Sequence, residues 1–361
     1  MKYIFLIMVM FIHLNVLAIE VTFINPSIPG TPFWDRVTAI AKAAAEDLQI
    51  NLTVVYGKDN RIFNLEAIEH VAAQKLKPDY LIFMPYDGNS EISFSTLESA
   101  KIPFITIERT LLDEEQAFIS LPQVKYKYWL GEIFHDNTTA GEILADSLIS
   151  AARKNNQDLI RVAGLSGSFS GESNQRTLGL QKSVDKHENV ELLQVVPAIW
   201  SRERSRYIIH QMSSRFGNID VAWAASDGMA LGVLDSVKSG FNDVNPNMKI
   251  GGIDWTVEAI EKVKSKDLVA TVGGHIFQAA WGLIKIFDHH HNKAVFSKGI
   301  DEKTYDLQII DQSNINDFYV LAKKVDWQRI DFNVFTLTST NNSQYNFDIA
   351  LIMKALNNTS H

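Results

Sequence analysis

The chain has 361 residues, 46% of them hydrophobic and 21% charged, with no cysteine and a formal net charge of −8. This is ordinary globular composition, long enough for two domains, and its acidic balance speaks against nucleic acid as a partner. The missing cysteines exclude disulfides, thiol catalysis and cysteine-ligated metals.

The first 18 residues, MKYIFLIMVMFIHLNVLA, carry Lys2, an apolar run and then small residues ending at Ala18. This is the layout of a cleavable signal peptide, with Val16 and Ala18 three and one residues before the cut. His13 and Asn15 interrupt the run, which is shorter than the roughly 20 apolar residues of a spanning helix. No later run is apolar enough to span a bilayer. A soluble, exported protein of the periplasm is expected.

From residue 20 the pattern alternates. VTFIN reads as a strand, and the following PFWDRVTAIAKAAAEDL sets Val37, Ile40, Ala41, Ala44 and Leu48 on one helical face. NLTVVYG, DYLIFMPYD and PFITIER are further strands, separated by the helices NLEAIEHVAAQKL and EISFSTLESAK. The irregular stretch 110–129 breaks the rhythm. It resumes with WLGEIFHD, and strands at DLIRVAGLSG, VELLQVVPA, DVAWAAS, MKIGGIDW and LVATVGG each precede a helix. Buried β-branched runs alternating with helices indicate βαβ units and parallel sheets. The expected fold is α/β, with two doubly wound Rossmann-like lobes. The tail from about Asp301 is less regular, with a returning strand or two and a final helix at DIALIMKAL.

In open α/β sheets ligands sit beyond the carboxyl ends of the strands. The residues found there include Phe33, Trp34, Tyr86, Asp87, Glu108, Arg109, Ser166 to Ser170, Trp200, Ser226, Asp227, Asp254, Trp255 and Gly273 to His275. Rings, carboxylates and arginines suit a sugar-like molecule. Its C–H face packs on an aromatic ring, and its hydroxyls take charge-assisted hydrogen bonds. Two adjacent large aromatics at a helix start cannot both face that helix's core. Phe33 and Trp34 are therefore read as stacking platforms.

On the motifs TPFW, ITIER, SNQRTLGL, SDGMALGVL and GGIDWT, the chain resembles the type I periplasmic binding proteins, the ribose- and galactose-binding group. Their fold is shared with the sensory domain of LacI-type repressors. The likeness spans residues 20–300. It implies two lobes joined by a three-strand hinge, with crossings near Arg109 to Tyr128, Gly273 to His275 and Gly299 to Lys303. The implied division is 19–110 with 275–300 for one lobe, 128–274 with 301–330 for the other, and 331–361 as an extension. The implied ligand-binding residues are Phe33, Trp34, Glu108, Arg109, Arg176, Trp200, Ser226, Asp254 and His275. Three positions depart from the family. Glu108 replaces an aspartate, Ser226 replaces an asparagine, and Gly273 with Gly274 stand where a polar residue is usual, so that His275 is the nearest substitute.

No metal and no cofactor are expected. Adjacent residues of a helix do not share a face, so His289 to His291 do not form a metal set. GLSGSFSG lacks the Lys-Ser/Thr ending of a phosphate loop. No nucleophile with a base is evident, so the chain is not read as an enzyme. The function expected is capture of a sugar or sugar-like polyol, delivered by a monomer to an ABC permease. The alternative is a receptor that docks on a membrane sensor such as a histidine kinase, with residues 110–129 and the tail as docking surface.

Overall fold

The computed structural model describes residues 18–154, 159–240, 243–299, 303–340 and 342–357. Apart from Ala18, the expected signal peptide lies outside them, as do 300–302 of the expected third crossing.

The first half runs β1 (Ile19–Asn25), α1 (Pro32–Asp47), β2 (Ile50–Tyr56), α2 (Arg61–Ala73), β3 (Tyr80–Phe83), α3 (Ser90–Ala100), β4 (Phe104–Ile107), α4 (Asp113–Ile119) and β5 (Trp129–Ile133). These strands form one sheet in the order β2-β1-β3-β4-β5. Its neighbours all pair in parallel. The second half runs α5 (Asn137–Ala152), β6 (Ile160–Ser166), α6 (Gly171–Lys186), β7 (Val190–Pro197), α7 (Arg202–Phe216), β8 (Val221–Ala224), α8 (Asp227–Lys238), β9 (Lys249–Ile253), α9 (Val257–Lys264), β10 (Ala270–Gly273), α10 (Gln278–His290) and β11 (Gln308–Ile310). Its sheet has the order β11-β10-β9-β8-β6-β7, and only β11 runs antiparallel to its neighbour.

The chemistry of these elements follows from sequence. Every residue of YLIF in β3 and FITI in β4 is buried, as helices on both faces of a parallel sheet require. Pro32 opens α1, where a missing N–H costs no bond. Asp136, Ser201, Ser226 and Thr256 each cap a helix by accepting from an N–H three residues on. One flank of the first sheet is sealed by rings, with Phe94 within 5.0 Å of Phe104 and 4.8 Å of Trp129.

The first crossing is not where the sequence placed it. β5 pairs with β4, so residues 110–133 complete the first lobe and the chain passes over at 134–136. The irregular stretch holds α4 as a short insert before that strand; Trp129 anchors it by packing into the first lobe's aromatic cluster. The second crossing falls at Gly274, whose φ of 125° a side chain would resist. After it, α10 packs on α1 and on β3, β4 and β5, which places it in the first lobe.

The tail is part of the body. After β11 come α11 (Ile315–Phe318), α12 (Leu337–Thr340) and α13 (Ile349–Asn357), with three short 3-10 turns between α11 and α12. Residues 319–322 pack on α9, whereas 327–329 and 332–335 pack on α1. Asp288, in α10, accepts from the N–H of Leu337 and Thr338 at 2.8 Å and from the Tyr345 hydroxyl at 3.0 Å.

Candidate functional site

The carboxyl ends of the two sheets face each other, and charged groups from both lobes meet there. Glu108 ends β4 and Arg176 lies in α6. Arg176 Nη2 donates to Glu108 Oε1 at 3.2 Å, an ion pair with both side chains buried. The same guanidinium donates from Nε to Asn137 Oδ1 at 2.8 Å and from Nη1 to the Ala225 carbonyl at 3.0 Å. The other oxygen of Glu108 accepts from Gln278 Nε2 at 2.5 Å.

Close helix packing sets that position. A Cβ on Gly141 would stand 2.0 Å from the Arg176 carbonyl, and one on Gly179 would stand 2.1 Å from the Thr138 carbonyl. Only glycine at both points lets α5 and α6 approach closely enough for Arg176 to reach Asn137.

Asp254 completes the charged group. Its Oδ1 lies 3.7 Å from Arg176 Nη1 and 3.3 Å from His275 Nε2. Burial pushes its carboxyl up from the usual range, with Arg176 opposing. Burial drives His275 the other way, to about 4, so its imidazole is neutral at pH 7. Both of its ring nitrogens are buried without a hydrogen bond, as is Oε1 of Gln278. A neutral imidazole offers one donor and one acceptor, and unsatisfied buried polar atoms are costly.

The floor is a row of rings. Phe33 lies 4.6 Å from His275, His275 lies 4.9 Å from His135, and His135 lies 5.5 Å from Tyr305. His135 follows β5, His275 follows β10 and Tyr305 precedes β11. Asn137 Oδ1 also accepts from Arg176, so His135 Nε2, 3.1 Å away, must be its donor. The Nδ1 of His135 then accepts from the Tyr305 hydroxyl at 3.1 Å. Burial holds His135 neutral.

Four non-glycine residues here adopt positive φ: Glu108 at 67°, Trp200 at 56°, Asp254 at 142° and Trp255 at 58°. Such backbone strain persists only where the surroundings impose it, and it gathers at functional sites.

Of the nine expected residues, Phe33, Glu108, Arg176, Asp254 and His275 come together at this junction. Trp34 is half-buried, edge-on to Phe33 at 5.1 Å. Trp200 lies under the Arg176 guanidinium at 5.9 Å and donates its indole N–H to Ser168 Oγ. Arg109 is engaged elsewhere, pairing with Asp87 and with Glu115 and donating to the Pro85 carbonyl. The Ser226 hydroxyl caps α8 by accepting from Met229 N–H at 3.3 Å. Asp227, beside it, accepts from Thr256 and Thr271 and so ties β10 to the segments that follow β8 and β9.

Asn137, His135, Gln278 and Tyr305 were missed. The first two follow β5 and obey the same rule that found Glu108. Nothing in the sequence marks Gln278 or Tyr305 as facing the cleft. Of the three adjacent histidines, His289 Nδ1 meets the Tyr80 hydroxyl at 3.0 Å, while His291 Nδ1 meets the Phe287 carbonyl.

A family model described as a periplasmic binding protein domain matches residues 21–293. The chain belongs to the periplasmic binding protein family. This binding protein is 24% identical over 242 residues to the ribose import binding protein RbsB of Haemophilus influenzae, across 67% of its own length and 75% of that protein's. Over 137 residues it is 26% identical to the D-allose-binding periplasmic protein of Escherichia coli, covering 43% of the latter. Among solved structures, a periplasmic sugar-binding protein from Pseudomonas fluorescens superimposes with a TM-score of 0.80 at 21% identity, covering 92% of this chain and 99% of that one. A solute binding protein from Actinobacillus succinogenes with bound D-allose gives 0.71 at 20% identity, covering 83% and 99%. These likenesses establish the two-lobed type I fold.

Proposed function

We propose that the protein is exported to the periplasm and captures a sugar or sugar-like polyol between its lobes. The observation that carries this reading is the meeting of Phe33, Glu108, Arg176, Asp254 and His275 at one interlobe junction. A flat ring, two carboxylates, a guanidinium and a neutral imidazole make up that junction. The carboxylates accept from hydroxyls, Arg176 donates, and Phe33 covers a C–H face, with Trp34 and Trp200 as further apolar walls. A competitor lacking a hydroxyl leaves a buried partner unsatisfied and is rejected strongly. Binding favours the closed form because contacts such as Arg176 with Glu108 exist only when the lobes meet. The closed monomer then presents its cargo to an ABC permease. The named ligands of the two curated relatives, ribose and allose, support this class.

The receptor alternative rested on residues 110–129 and the tail as free docking surface. The import role in the name of the Haemophilus influenzae relative favours transport. The test is a thermal-shift screen of the mature protein against pentoses, hexoses and cyclitols. A ligand at a hundred times its Kd should add about 2.7 kcal/mol of stability. A panel in which no sugar or polyol raises the melting temperature defeats the reading.

A further inference from the structure

Arg36 is an arginine in α1 that the site described above does not use. It is buried, and among the described residues no carboxylate lies within ion-pair distance of it. Burial lowers it to about 10, so it stays charged at pH 7. A buried charge is tolerated only where hydrogen bonds replace its hydration. Its partners come from three separate pieces of chain. Nη1 donates to the carbonyl of Trp255 at 2.5 Å, Nη2 donates to the carbonyl of Leu321 at 3.2 Å, and the guanidinium stands 5.5 Å from the ring of Trp327. Trp255 belongs to the second lobe and the other two to the tail.

The Trp255 carbonyl is a telling place for such a bond. Trp255 follows Asp254 directly, and both hold the positive φ values given above. That turn needs external support. The second lobe supplies part of it, through Asp254 N–H to the Val272 carbonyl at 2.7 Å and Trp255 N–H to Thr271 Oγ1 at 3.3 Å. The tail adds Phe318, whose ring lies 5.1 Å from that of Trp255. Arg36 is the member of this support that comes from the first lobe.

We propose that Arg36 is a positioning residue and interlobe latch: it fixes the strained Asp254–Trp255 turn when the lobes close, with the tail completing its socket. The role of Asp254 toward ligand rests on the reading above, whereas the latch itself does not. A first-lobe helix is thereby wired to the second lobe's carboxylate, and the tail becomes a working part of closure.

The test uses the full mature chain. It has no cysteine, so Ser99→Cys on α3 and Lys182→Cys on α6, both exposed, take spin labels cleanly. Interlobe distance distributions are measured without ligand for wild type, Arg36→Gln and Arg36→Lys. Arg36→Gln should raise the ratio of open to closed molecules about tenfold, the scale of one charged hydrogen bond. Arg36→Lys, which can reach only one carbonyl, should fall between. If Arg36→Gln does not fold, the Lys variant alone decides. Distributions unchanged from wild type, even with a lowered melting temperature, overturn the latch and leave a purely structural arginine. Calorimetry with D-ribose, D-allose and myo-inositol forms a second arm. A sugar bound by wild type should lose about tenfold in affinity in the same variant. If wild type binds none, the sugar reading suffers while the distance data still judge the latch.

Discussion

Arg176 of the second lobe and Glu108 of the first form a buried ion pair, with Nη2 and Oε1 3.2 Å apart. It is a contact between lobes, and one member sits on strained backbone at φ 67°. Removing one partner of such a pair leaves the other charge uncompensated, which costs more than the pair contributes.

Glu108→Gln should therefore destabilise the closed form by about 3 kcal/mol, at the low end for a broken buried pair because Asn137 and Ala225 still accept from Arg176. Urea unfolding measures it. A variant as stable as wild type would mean that the pair does not form in solution.

Asp254→Ala should cost several kcal/mol of ligand affinity, since it removes acceptors from a buried polar ligand. Burial already disfavours the charged carboxylate, so the melting temperature should change little. Calorimetry with the sugar found by the thermal screen, beside a melting curve, separates the two effects. Undiminished affinity removes Asp254 from the site.

His275 gives a pH signature. The unfolded chain protonates it near pH 6.5, whereas the folded protein does so only near 4. Acidification through that window favours the unfolded chain, by up to about 3 kcal/mol. Asp227 and Asp254 are raised by burial and act in the opposite direction, losing stability as pH rises. His135 acts in the same direction as His275, and Glu108 and Arg176 flank the ring. Comparing wild type with His275→Gln cancels these shared terms. The stability lost between pH 7.5 and pH 4.5 should be smaller for the variant, and equal pH slopes would show that His275 is not held neutral.

Gly273→Ala would place a Cβ 2.4 Å from the ring of Trp255. The ring must shift, at a cost of about 1–3 kcal/mol, and it carries the Asp254 turn with it. Loss of stability should therefore be accompanied by loss of affinity. A fully stable variant would indicate that Trp255 is loosely held.

Local pattern was enough for the sequence to set out the alternation of strands and helices, the two-sheet fold and some of the residues that meet between the sheets. β3 and β4 announce themselves as apolar runs; Glu108, Asp254 and His275 stand within two residues of a strand end, and Phe33 in the first turn of the helix after β1. Period and position along the chain carry that information. Which sheet takes β5 depends on pairing between strands distant in sequence, and no local signal encodes it. The same holds for Asn137 beside Arg176, for Tyr305 on His135, and for Arg36 in its socket of carbonyls. Those contacts join residues separated by 39 to 285 positions. Only folding, by closing two lobes and wrapping the tail across them, brings them within hydrogen-bond reach.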